Sequence, residues 1–157
     1  MAESKYAKYF LTEFKEPSNL PAVAGPQAYF RGARQIPGAN MNMGWQLFVE
    51  PIHLEREPHT HDADEYLVFL GGELPDLFSS FKAEIDFCIG EEQEEHLIDK
   101  PTIIFIPAGM VHCPLNFRKI DKPVLFHAIL LTPLFAKTMN GREYTYDGPD
   151  VDGPVKL

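Results

Sequence analysis

Proline and glycine break this chain so often that long helices have little room between them. Gly25-Pro26, Pro37-Gly38, Gly71-Gly72, Pro107, Pro114, Pro123 and Pro133 fall at short intervals. Each removes a backbone donor or favours a turn. The runs between them are short and strand-like, the clearest being 45–49, 65–70, 83–89, 102–106 and 124–131. In Ala83-Glu84-Ile85-Asp86-Phe87-Cys88-Ile89 apolar residues alternate with mostly polar ones, the pattern of a strand with one face on a core. Thr102-Ile103-Ile104-Phe105-Ile106 is apolar on both faces, which predicts a strand buried between sheets. The acidic run 90–95 reads as a solvated hairpin tip. Many short strands separated by turn signals imply an all-β sandwich or barrel.

Two stretches read together as one metal site. The first, His59-Thr60-His61-Asp62-Ala63-Asp64-Glu65, is H-x-H-x₃-E. Alternate residues of a strand share a face, so His59 and His61 point the same way, and Glu65 keeps their parity. The second, Pro107-Ala108-Gly109-Met110-Val111-His112, adds a distant imidazole. Three imidazoles and a carboxylate suit one divalent transition ion such as Fe, Mn, Ni or Zn. Four protein ligands leave a coordination position open in a five- or six-coordinate ion, as catalytic sites require. H-x-H alone is weak evidence for a metal. The combination with the second stretch is strong.

The chain resembles the cupins, whose first motif is G-x₅-H-x-H-x₃₋₄-E-x₆-G and whose second is G-x₅-P-x-G-x₂-H-x₃-N. His59, His61, Glu65 and Gly72 fit the first, and Pro107, Gly109, His112 and Asn116 fit the second. The opening glycines are replaced by His53 and Pro101. The resemblance implies a double-stranded β-helix, a jelly-roll barrel, with His59, His61, Glu65 and His112 as metal ligands. It also implies one domain over 1–157, with a barrel core at about 40–135. An N-terminal segment, 1–39, and a C-terminal tail, 136–157, would pack on it. Residues 73–82 are expected to form a short helical or irregular insertion. Leu74, Leu77, Phe78 and Phe81 are spaced there like one helical face, and a loop over the barrel outweighs a lid or dimer contact.

Further candidates are weaker. His53, His127 and Arg31 are candidate catalytic or substrate-orienting residues. His53 shares parity with His59 across Glu57-Pro58 and would line the barrel mouth, against a plain surface histidine. His127 lies in an apolar strand, where a hydrogen-bonded core residue is commoner than a catalytic base. Arg31, or Arg34 beside it, would clamp a substrate carboxylate through its fork, against a solvated arginine at a strand edge. Trp45, Gln46 and Phe48 are candidates for the pocket wall. Phe48, Phe69, Ile103 and Phe105 are expected to give an apolar lining. Asp62 and Asp64 are out of phase with the ligands and are expected to accept hydrogen bonds rather than bind metal. Cys113 would face away from the metal, and Cys88 and Cys113 read as packing residues, not a disulfide framework.

The net charge of −9 leaves no basic face for nucleic acid or for anionic membranes. The most apolar stretch, 124–136, is too short and too polar to span a bilayer. The N-terminus lacks an uninterrupted apolar signal region, so a cytoplasmic protein is expected. The favoured function is an enzyme acting on a small polar or anionic metabolite, with oxygenase chemistry ahead of non-redox isomerase, lyase or decarboxylase chemistry. A metal- or ligand-binding module without catalysis is the competing class. Sheet edges and the apolar segment 6–14 predict a homodimer.

Overall fold

The computed structural model describes residues 4–145, and the tail beyond them, 146–157, lies outside the described residues. The chain forms β1 (Lys15–Glu16), β2 (Gln27–Phe30), β3 (Asn42–Phe48), β4 (Ile52–Glu55), β5 (Glu65–Gly71), β6 (Ala83–Ile89), β7 (Glu94–Ile98), β8 (Thr102–Ile106), β9 (His112–Ile120), β10 (Val124–Leu130), β11 (Ala136–Met139) and β12 (Arg142–Thr145). All pairings between these strands are antiparallel. One sheet runs β1-β2-β3-β10-β5-β8 and the other β4-β9-β6-β7, with β11 and β12 as a separate hairpin. Neighbours such as β3-β10-β5 and β4-β9-β6 are distant in sequence, so the chain crosses repeatedly between the sheets, as in a jelly roll.

Alternation fixes what each sheet buries. In β5, Glu65, Leu67, Phe69 and Gly71 face inward while Tyr66, Val68 and Leu70 face out. The core is a cluster of aromatic rings between the sheets. Phe48 stacks on Phe117 at 4.3 Å, and Phe126 meets Phe69 at 5.1 Å and Phe117 at 5.8 Å. Ile85 and Phe87 of β6 close it from the second sheet.

The outer faces differ in kind. On the four-stranded sheet, Arg118 bridges Glu84 and Asp86. On the six-stranded sheet the outward residues are Met43, Trp45 and Leu47, then Leu125 and Ile129, then Tyr66, Val68 and Leu70. All are half-exposed. The strand expected to be buried between sheets, β8, is instead the edge of this sheet. Ile103 is 70% exposed and Phe105 50%. Neither contributes to an internal lining.

The 73–82 insertion is a series of turns rather than a helix. Asp76 accepts the backbone N–H of Phe78 and Ser79, closing one tight turn. Leu74 and Phe78 are exposed while Phe81 is buried, so the four apolar residues do not share a face. Ser80 is buried against Gly71, where an added Cβ would sit 2.2 Å from the Ser80 Oγ. Among the described residues no helix is long and apolar enough to cross a membrane.

Candidate metal centre

The first motif lies just before β5, and its alternation is enforced by neighbours on both sides. His59 exchanges backbone hydrogen bonds with His112 at 3.0 and 3.1 Å, and Thr60 does so with Thr138 at 2.9 and 2.8 Å. Pinned between β9 and β11, the segment turns His59 and His61 inward. The two motifs are also tied through the turn at Pro107. Asp64 Oδ1 accepts the Ala108 N–H at 2.8 Å, and the His61 carbonyl accepts the Gly109 N–H at 2.8 Å. Gly109 has φ +81°, a conformation that favours glycine. Asp64 thus acts on the site by holding its frame.

His59, His61 and His112 are buried and bring one ring nitrogen each within 4.8 Å of one another. Glu65 Oε2 lies 3.0 Å from His112 Nε2 and 3.4 Å from His61 Nε2. The other ring nitrogens are engaged by backbone carbonyls. His59 Nδ1 meets Glu57 O at 3.1 Å, His61 Nδ1 meets Ala136 O at 2.6 Å, and His112 Nδ1 meets Met110 O at 3.0 Å. A carbonyl can only accept, so each Nδ1 carries a proton and each ring turns its Nε2 toward the site. Glu65 Oε2 is buried with no donor in hydrogen-bonding geometry. Four potential ligand atoms therefore converge, and a cation is what such a set fits. Histidines held through their other nitrogen by carbonyls are the usual arrangement at bound metals.

The electrostatics agree. Burial, with help from His112, lowers the His59 pKa to about 3, so this ring is neutral at physiological pH. Burial opposes ionisation of Glu65, but His112 and His61 outweigh it and bring the carboxyl down to about 2. Burial also opposes charge on His61, and the Glu65 carboxylate overcomes it and raises that pKa. Metal uptake must displace a proton shared by this pair.

A pH dependence follows for the metal-free protein. Between His59's ordinary pKa of 6.5 and its folded value of about 3, the unfolded chain takes up a proton that the folded chain refuses. Stability should therefore fall as pH drops below 6.5, by up to about 1.4 kcal/mol per pH unit for one proton. Glu65 adds a loss of the same sign below 4.5. His61 has the opposite sign, stabilising below 6.5 and losing that contribution as pH rises through its raised value. Melting temperatures of metal-free protein from pH 6.5 to 4.5 should fall more steeply for wild type than for His59→Gln. Parallel slopes would contradict the placement of a neutral, buried His59.

The ligand set opens onto a cavity of about 170 Å³. Its apolar wall includes Leu20, Leu54, Leu67, Leu115 and Phe126, and its polar wall includes Gln27, Gln46, Glu55 and Lys137. Of the expected wall residues, Gln46 lines it, whereas Trp45 faces outward and Phe48 belongs to the core.

The structure does not bring His53, His127 or Arg31 to the ligands. His53 is exposed on β4, paired with Asn116 on the charged outer face, because its neighbours Ile52 and Leu54 take the inward side. His127 lies on the outer face of β10, stacked on Trp45 at 4.4 Å, while Phe126 and Ala128 on either side of it face the cavity. Arg31 is buried, bound to Glu16 at 2.9 and 2.7 Å and seated over Tyr29 at 3.5 Å. It anchors β1 rather than a substrate. Arg34 is exposed in a short 3-10 turn.

Cys113 departs from expectation in another way. It has φ +74°, which breaks the alternation after His112 and turns its side chain to the cavity. Burial pushes its thiol well above the ordinary range, so it is no thiolate nucleophile. Lys137 and Glu55 escaped the sequence reading. The available signal was Phe135, Lys137 and Met139 sharing parity, which sets a lysine within an inward apolar stripe.

No family model matches the sequence, and no curated protein matches it. Solved structures do. An oxalate oxidase in complex with glycolate aligns with TM-score 0.54 at 14% identity, over 85% of this chain and 64% of that one. Oxalate decarboxylase of Bacillus subtilis, studied for its Mn(II) centres, aligns with TM-score 0.51 at 14% identity, over 80% of this chain and 30% of its own. The Lactobacillus farciminis oxalate decarboxylase formate complex aligns with TM-score 0.51 at 13% identity, over 80% and 33%. The chain thus spans about a third of the decarboxylases and under two thirds of the oxidase. At such identities the likeness carries the fold, and the fold of this chain is that of the cupins.

Proposed function

We propose that this protein is a metal-dependent cupin enzyme acting on a small polar or anionic metabolite, with O₂-dependent oxidation as its reaction. The observation that carries the reading is the convergence of three imidazole nitrogens and the Glu65 carboxylate on the wall of a cavity of about 170 Å³. A cavity of ~150 Å³ holds a benzene-sized molecule, so the substrate has on the order of six to ten non-hydrogen atoms. One divalent transition ion held by His59, His61, His112 and Glu65 supplies Lewis-acid chemistry and, as iron, redox chemistry at its open positions. The chain supplies the rest. Carbonyls of Glu57, Ala136 and Met110 fix the ring orientations. Leu20, Leu67 and Phe126 keep bulk water from the substrate. With Cys113 held as the thiol, no activated nucleophile lines the cavity among the described residues, which favours direct coordination over a covalent enzyme intermediate.

A non-redox reaction, namely isomerisation, lyase chemistry or decarboxylation at Mn, Ni or Zn, is the second reading. It is supported by the Lys137–Glu55 pair in the cavity, which offers a proton donor beside an acceptor. The test is to strip the protein, reload each metal anaerobically and screen small metabolites with and without O₂. The iron form is expected to consume O₂ in step with substrate. Full turnover under strict anaerobiosis would overturn the oxidative reading.

A homodimer is part of the same proposal. The outer face of the six-stranded sheet is apolar and half-exposed, and such faces mark association sites. The N-terminal segment meets it at Phe14. Phe14 lies 6.5 Å from Trp45, with Tyr6, Tyr9 and Phe10 left exposed before it. Sedimentation should give twice the 17.8 kDa chain mass. A monomer at micromolar concentration would contradict this.

A further inference from the structure

The cavity holds a charged group that metal binding does not use. Lys137 on β11 is 3% exposed, and its Nζ stands 3.1 and 3.4 Å from the two carboxylate oxygens of Glu55 at the end of β4. Both residues line the same cavity as His59, His61, Glu65 and His112. An ammonium carries three N–H donors, and one carboxylate facing it engages two at most. At least one donor is therefore left for whatever fills the cavity. A buried ion pair gives little net stability over apolar residues of the same size. At a cavity wall it gives what apolar residues cannot, a fixed cationic hydrogen-bond donor.

The charges of the cavity select the partner. With a divalent ion on the four donors, Glu65 and Glu55 offset its two positive charges, and the charge of Lys137 is left over. A monoanion neutralises the cavity, whereas a cation adds to the excess. Of the remaining polar wall, Gln46 and Gln27 are neutral and held in place. Gln46 donates to Gln27 at 2.7 Å, Gln27 donates to Glu16 at 3.5 Å, and Arg31 holds Glu16.

We infer that Lys137 is a specificity-determining residue that binds the carboxylate of a small monoanionic organic acid, whose neutral end lies toward the metal donors. This rests on the metal-enzyme reading and narrows its substrate class.

The test is calorimetric binding of hydroxy- and keto-acids of three to five carbons against their primary amides, using metal-loaded protein. Wild type should bind the acids about tenfold or more tightly than the amides, the size of a charge-assisted hydrogen bond. The double variant Lys137→Met with Glu55→Gln removes the pair together, so no unpaired charge is buried. In it the preference should shrink to about twofold, within the spread of neutral hydrogen bonds. Lys137→Arg should keep the preference, since it keeps the charge. No acid preference in wild type, or an undiminished one in the double variant, would overturn the role of Lys137. Metal content measured on the same samples separates the two failures. Wild type that retains no metal overturns the enzyme reading, and full metal with an undiminished preference overturns only the assignment of Lys137.

Discussion

His112→Ala is expected to weaken divalent-metal binding by more than about a hundredfold, beyond the ten- to hundredfold cost of losing a partner outside the ligand shell. The ring is 1% exposed and its Nδ1 is fixed by the Met110 carbonyl, so its Nε2 is aimed before any metal arrives. Alanine removes that donor and leaves Glu65 with one imidazole fewer against its buried charge. The substitution tests the second motif apart from the first, because His112 comes from β9 while the other three donors precede or begin β5. Elemental analysis after desalting is the readout. His96→Ala is the control, since His96 is exposed and paired with Glu94 at 2.8 Å. Equal metal content in wild type and His112→Ala would contradict the four-donor site.

Phe117→Ala should destabilise the fold by about 3–5 kcal/mol, the range for emptying an aromatic site in a packed core. Phe117, on the four-stranded sheet, is fully buried and packs against three rings of the six-stranded sheet, with Phe48 at 4.3 Å, Phe126 at 5.8 Å and Phe69 at 6.1 Å. No single neighbour can move to fill the gap, so the cavity term remains alongside the lost transfer free energy. Urea unfolding of the metal-free variant measures it. Ile103→Ala on the exposed edge of β8 is the comparison and should stay within about 0.5 kcal/mol in dilute, monomeric protein. A loss below about 1 kcal/mol for Phe117→Ala would show that the two sheets do not share this core.

The grouping of His59, His61, Glu65 and His112 was legible in sequence because it is written in local spacing. Parity along an extended segment places His59 and His61 together, and the turn at Pro107–Gly109 brings in His112. The architecture was legible for the same reason, since alternation and turn residues are local signals. What depends on tertiary context was not. Residues 102–106 are apolar on both faces, and an edge strand beside an exposed apolar sheet has the same composition as one buried between sheets. The side of the sheet that His127 occupies follows from the register of β10 against β3 and β5, which opposes His127 to Trp45. The burial of Arg31 is not legible locally, because its partner, Glu16, lies on another short strand. Cys113 could not be placed by parity, because its positive φ breaks the alternation that parity assumes. Lys137 lies in a segment read as tail, and only the pairing of Thr138 with Thr60 carries it into the cavity.

Anomalous diffraction from crystals of metal-loaded protein, collected on both sides of the metal's absorption edge, tests the central claim most directly. The expected result is one peak per chain at about 2.0–2.2 Å from the Nε2 atoms of His59, His61 and His112 and from a Glu65 carboxylate oxygen. No peak among these four side chains, or one held by other residues, would contradict the metal centre and with it the proposed enzyme.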